Sequence, residues 1–241
     1  MKRDERPLRA VPAAIWLALA ASLAAQLAWR AAQAPAVASP EDLPPAPSAQ
    51  ALRLASFGEP AALARVAMLY LQAFDYGGLN ANSYSRLDYG RLIAWLDAIL
   101  ELDPRSEYPL FAAARIYAEN ADPARSRAAL EFVYREFFAD PDRRWPWLAH
   151  AALLAKHRLK DLPLARRYAA AIDRNTRSAN VPLWAKQMEI FILEDMNELE
   201  AARILLGGLL ESGAVRDAGE ARFLRLRLEQ LERRLAARKG R

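Results

Sequence analysis

The chain has 241 residues, 34 Lys and Arg against 29 Asp and Glu, and no cysteine. This length allows one extended domain or two small ones, and the missing thiols exclude disulfides, thiolate nucleophiles and Cys-ligated metals. Hydrophobic residues make up 54%, with Ala, Leu and Arg abundant; these lose little conformational freedom in a helix, so an all-α chain is expected.

The first element is the apolar run Val11 to Trp29, interrupted by Pro12, Ser22 and Gln26. It approaches the ~20 residues that a helix needs to cross a bilayer. Lys2, Arg3, Arg6 and Arg9 precede it, and Arg30 is the only basic residue between it and Arg53. The positive-inside rule then makes 1–10 a cytoplasmic N-terminus and 11–30 a single-pass inner-membrane anchor, with the remainder on the extracytoplasmic side. A cleaved signal peptide is the alternative, since Ala32-Gln33-Ala34 and Ala36-Val37-Ala38 fit a small-x-small cleavage pattern. Residues 31–59 read as a Pro/Ala-rich linker. Five prolines between 34 and 50 predict an extended, semi-rigid spacer.

From 60 to 238 the pattern predicts a helical-repeat domain. The first helix carries Leu63, Val66, Ala67, Tyr70, Leu71 and Phe74 as an apolar stripe at helical spacing. Asp103-Pro104, Asp122-Pro123 and Asp140-Pro141 then mark helix starts, because Asp caps an N-terminus and Pro fits the first turn. Pro163 and Pro182 continue the punctuation. Small residues at Ala94, Ala129, Ala165 and Ala201 are 35, 36 and 36 positions apart. A fixed period of this size is the signature of stacked helix–turn–helix pairs. The expected pairs are 60–102, 104–139, 141–175 and 181–212, with 217–238 as a capping helix. Gly207-Gly208 is expected where a neighbouring helix approaches closely.

Trp147-Leu148-Ala149-His150-Ala151 followed by Ala165, and Trp184 followed by Ala201, resemble tetratricopeptide repeats over about residues 60–212. The resemblance implies a right-handed solenoid of helix-turn-helix pairs with a groove lined by the first helix of each pair. Through it would come capture of a segment of a partner protein.

Chemistry-bearing residues are sparse. His150 and His157 lie seven apart, without the spacing of a helical zinc pair. Glu189, Glu194, Asp195, Glu198 and Glu200 straddle a predicted turn where solvent would keep them ordinary. Glu211-Ser212-Gly213 resembles the Glu-Ser of lytic transglycosylases, and a cell-wall hydrolase or its accessory is the alternative reading. The eight basic residues between 222 and 241, against Glu229 and Glu232, allow a second alternative, a binder of nucleic acid or anionic lipid through the tail. The leading expectation is a non-enzymatic scaffold or adaptor in envelope assembly or protein maturation. It would need no cofactor, metal, nucleic acid or small-molecule substrate, and would contact the bilayer through 11–30. Two regions fit partner recognition. The long connection 75–87 offers Tyr76, Asn80, Asn82 and Tyr84, with a mobile insertion as the competing reading. Arg143, Arg144 and Trp145 precede Trp147, which is expected to pack between helices, with Pro146 setting the helix start.

Overall fold

The computed structural model describes residues 12–32, 43–74, 83–215 and 217–239, and the chain divides into two compact units, residues 1–38 and 39–241. In the first unit, α1 (Ala13–Ala32) is 20 residues long with mean hydropathy 1.3 and no buried residue. It is long and apolar enough to cross a membrane, a property that signal sequences share.

The second unit is helical throughout its described residues. Its helices are α2 (Ala49–Ala55), α3 (Pro60–Ala73), α4 (Tyr89–Leu102), α5 (Tyr108–Arg115), α6 (Pro123–Phe137), α7 (Pro141–His157), α8 (Leu162–Asn175), α9 (Leu183–Asp195), α10 (Leu199–Glu211) and α11 (Ala218–Lys239). Each helix from α2 to α11 packs on its successor in sequence, and α4 on α6, α5 on α7 and α7 on α9 add the contacts between pairs. This serial neighbour packing is the arrangement of a helical solenoid.

The starts follow the expected capping at some positions and not at others. Asp88 accepts from the amides of Gly90 and Arg91, Asp122 from Ala124 and Asp161 from Leu164, relieving amides that the first turn leaves unpaired. Asp103 instead ends α4, and its carboxylate takes the Arg105 amide at 3.1 Å. Thus α5 begins at Tyr108, with Pro109 in its first turn. Helix α7 begins at Pro141, so Pro146 lies inside it and does not set its start.

Fully buried Tyr117, Phe132, Phe137 and Tyr168 form the bulk of the core, and Ala151, Ala152, Ala155, Ala165 and Ala169 fill the α7 and α8 faces. The 36-residue marker is structural at Ala129 and Ala165, which are buried, and weaker at Ala201, which is half-buried. It fails at Ala94, which is exposed because α4 turns Leu92, Trp95, Leu96 and Ile99 inward instead. The second helices of successive pairs are joined by a charge ladder. Arg135 of α6 pairs with Asp97 of α4, and Arg167 and Asp161 at α8 pair with Glu131 and Arg127 of α6. Arg167 also lies over the Tyr134 ring, 4.7 Å from its centroid, a favourable cation–π geometry.

Two expectations change at the N-terminal end of this unit. Residues 43–59, read from their prolines as spacer, belong to the packed domain. Leu43 and Leu52 are buried. The Leu43 carbonyl accepts from Arg91 Nη1 at 2.7 Å, and the Pro44 carbonyl accepts from Trp95 Nε1 at 2.8 Å. Prolines cannot donate, but their carbonyls accept freely, and α4 supplies the donors. The α3 stripe also divides. Ala64, Ala67, Met68, Leu71 and Phe74 face inward, whereas Val66, Leu69 and Tyr70 face solvent.

Candidate protein-binding face

The first helices α5, α7 and α9 lie side by side, and aromatic contacts run across them. Gln72 of α3 donates to the Tyr108 hydroxyl of α5. Tyr108 stacks on Phe111 at 5.8 Å, and Phe111 meets Trp147 of α7 edge-on at 5.6 Å. On the other flank of α7, Trp145 meets Trp184 of α9 edge-on at 5.4 Å. Between the two clusters, Pro146, His150, Leu153 and His157 follow a 4-3-4 spacing on the outward side of α7, so they share one face. Tyr108, Leu153 and Trp184 are 41%, 44% and 52% exposed. These large apolar surfaces with polar tips are the composition from which interfaces draw most of their energy.

Some polar groups on this face are paired and others are not. Arg115 Nη1 lies 3.5 Å from His150 Nδ1. A guanidinium can only donate, so Nδ1 is the acceptor and the neutral ring carries its proton on Nε2. His150 Nε2 and Trp147 Nε1, one helical turn apart, are both buried without a hydrogen-bond partner. Burial first, then the Arg115 charge, lowers the His150 pKa below 6.5, with Glu119 opposing.

Of the residues expected to bind, Trp145 sits on this face through its contact with Trp184. Arg143 is exposed and ties to the Arg105 carbonyl at 2.8 Å and to Asp140 at 3.4 Å. Arg144 is 5% exposed. Its guanidinium holds the carbonyls of Pro104, at 2.8 Å, and Glu136, so it clamps the α7 start to two neighbouring turns and offers no free group. Tyr84 is half-buried in a 3₁₀ turn. Tyr76, Asn80 and Asn82 lie outside the described residues. The sequence reading missed Tyr108, Phe111 and Trp184 as members of one face. Their spacing close to the repeat length, 37 between Phe111 and Leu148 and between Trp147 and Trp184, was the available signal.

Apart from this face, a concavity of about 1020 Å³ opens between α9, α10 and the end of α8, lined by Asp173, Lys186, Glu189, Ile204 and Gly208 among others. On α10, Arg203 pairs with Glu200 of its own helix at 2.7 Å. A Cβ added at Gly207 or Gly208 would meet nothing within 4 Å. Among the described residues no helix approaches there, contrary to expectation. The acidic cluster is likewise not uniformly solvated. Glu189 and Glu194 are buried. Glu189 pairs with Arg166 of α8 at 3.1 Å, and Glu194 with Arg227 of α11 at 2.6 Å. Glu211 is exposed at the end of α10, not set into a cleft. Among the described residues no group of three or more His, Asp or Glu is placed to hold a metal. The tail is also partly committed, since Arg234 reaches Glu194 at 3.7 Å and Arg238 the Asn197 carbonyl at 3.4 Å.

Comparison with known proteins yields no match, whether to a family model, to a curated relative or to a solved structure. None of these comparisons identifies a tetratricopeptide-like family.

Proposed function

We propose that this protein is a membrane-anchored interaction scaffold whose helical domain, on the extracytoplasmic side of the inner membrane, captures a partner protein on the face formed by α5, α7 and α9. The single observation that carries the reading is the run of half-exposed aromatics from Tyr108 to Trp184 across three first helices, with Leu153 between them. Evenly spaced aromatic anchors on successive repeats suit a partner segment lying across the repeats rather than a small molecule. The apolar length of α1 and the basic residues before it support the anchor and its orientation. Envelope assembly or protein maturation is the setting that this topology favours.

The test is in-cell photo-crosslinking from positions 108, 153 and 184, with Arg222 and Arg225 as tail controls. The partner captured is then titrated against Tyr108→Ala and Trp184→Ala. Each substitution is expected to weaken binding by about 2 kcal/mol, roughly 30-fold, with helicity unchanged. Crosslinks confined to positions 222 and 225 would replace this reading with tail-mediated recognition. For topology, a reporter active only outside the cytoplasm, fused after Arg241, is expected to be active.

A further inference from the structure

The turn between α2 and α3 holds the most exposed large apolar side chains of the helical domain. Leu54, near the end of α2, is 80% exposed, and Phe57, just beyond it, is 96% exposed. Phe57 has φ +49° and Gly58 φ +90°. The Phe57 amide donates to the Leu54 carbonyl at 3.3 Å and the Glu59 amide to the Ser56 carbonyl at 2.8 Å, which fixes the turn. A left-handed backbone suits glycine or asparagine, and a bulky aromatic residue there is strained. Phe57 therefore carries two penalties, an unfavourable φ and a fully hydrated ring, and no burial within its own domain offsets them. Burial of the ring in a surface outside the chain would.

The surroundings of the turn indicate which surface. Arg53 and Arg65 flank it in sequence, both exposed, and neither guanidinium has a partner among the described residues. Glu59 is the one acid between them. Unpaired guanidinium groups beside protruding apolar side chains match the layering of a membrane interface, with phosphates outside and acyl chains beneath. Leu54 and Phe57 also stand out from a turn and do not line a groove, so a fluid phase can close around them without a matching pocket. Only residues 33–53 separate Leu54 from the end of α1, the helix long and apolar enough to cross a membrane. So short a connection would keep the turn at high effective concentration near the bilayer, where two side chains suffice for contact.

We propose that the α2–α3 turn inserts Leu54 and Phe57 into the bilayer surface, with Arg53 and Arg65 at the lipid phosphates. This inference rests on the anchor reading of α1 and is independent of the partner-binding face on α5, α7 and α9. It gives the helical domain a membrane contact of its own in addition to the span.

The native chain has no cysteine, so a single label reads the turn. Full-length Ala55→Cys, altered at the exposed end of α2, is labelled with an environment-sensitive nitrobenzoxadiazole dye, and Glu211→Cys, altered at the exposed end of α10, is the control. Both are reconstituted into phosphatidylethanolamine–phosphatidylglycerol vesicles. Interfacial insertion reaches about 5–10 Å below the headgroups, so shallow spin-labelled lipid is expected to quench position 55 roughly threefold more than position 211. Aqueous iodide should show the reverse order. Adding Leu54→Ser and Phe57→Gly is expected to bring position 55 to the level of position 211. Glycine accepts a positive φ without strain, so Phe57→Gly alone should melt no lower than the parent. Equal quenching at 55 and 211, lipid quenching that survives Leu54→Ser with Phe57→Gly, or a lower melting temperature for Phe57→Gly would each overturn this inference alone. Flotation of the vesicles reads the anchor separately, and the Leu54→Ser, Phe57→Gly protein should still float. A parent chain that does not float would overturn the anchor and this inference together.

Discussion

The two ends of the helical domain are finished differently. At the C-terminal end, α11 lays Leu224 and Leu231 against Ile190, Leu193, Leu199, Ala202 and Leu206, with Leu228 and Leu235 packed at the margin. Arg227 and Arg234 then fasten it to Glu194, a carboxylate 7% exposed. At the N-terminal end, the arm from Leu43 and helix α2 cover parts of α3 and α4, yet the outer strip of α3 stays bare. Both terminal helices are amphipathic, so composition alone does not explain the contrast. What differs is the presence of a further helix to accept the apolar side, and of charges placed to bind that helix to the stack.

The largest effect is expected from removing residues 214–241. This would uncover the α9 and α10 core faces and leave Glu194 buried without Arg227 or Arg234. The truncated protein is expected to aggregate in light scattering, and a monomer with unchanged melting would erase the contrast between the ends. Next comes Arg227→Leu, which leaves a buried carboxylate with one longer-range partner. Complete burial of both partners would make this worth 3–5 kcal/mol. Because Arg227 is 37% exposed, solvent screening reduces the expectation to about 2 kcal/mol in urea unfolding. Trp95→Phe removes the donor to Pro44 with modest loss of volume. It is expected to cost about 1–2 kcal/mol and to speed proteolysis within residues 43–55.

His150 belongs to neither end and serves as an internal reference. Its folded pKa lies below the ordinary 6.5, so the unfolded chain takes up the proton first as pH falls. Stability from this residue is therefore complete well above pH 6.5 and is lost as pH drops through that value, until the folded form is protonated too. His150→Gln is expected to flatten this part of the stability–pH curve, and an unaltered slope would locate the proton elsewhere. The smallest effect is expected at the bare strip. Leu69→Glu should change monomer stability by no more than about 0.5 kcal/mol, as for exposed positions generally. A larger loss would show that α3 already packs its outer strip within one chain.

Much of the fold was legible because proline punctuation and capping act locally. The four pairs and the last helix lie within a few residues of the expected ranges, and Asp122 caps as read, whereas Asp140 precedes Pro141 without a side-chain cap. Local rules failed where tertiary partners outvoted them. Asp103 takes the Arg105 amide of a turn instead of starting a helix, and the proline-rich arm folds because α4 provides Arg91 and Trp95. Periodicity could not divide the wide α3 stripe into an inner and an outer half, since Val66 and Leu71 are equally apolar. Arg144 carried the residue type of an interface anchor but is consumed by the carbonyls of Pro104 and Glu136. Only the packing of α7 against α5 and α9 brings Tyr108, Trp147, Trp145 and Trp184 into one surface.

The clasp between the proline-rich arm and α4 also bears on the order in which the chain folds. The charge ladder joins residues 34 to 38 positions apart, so each rung closes as soon as two successive pairs exist. The Trp95–Pro44 bond spans 51 positions and needs a finished α4 to provide its donors. The added loop-closure entropy is small, since that cost grows only with the logarithm of length, but the dependence on α4 is absolute. Formation of α4 therefore precedes clasp closure. In refolding, the helical signal should rise before protection of the arm, and a destabilised first pair should release the arm while the rest of the stack stays folded.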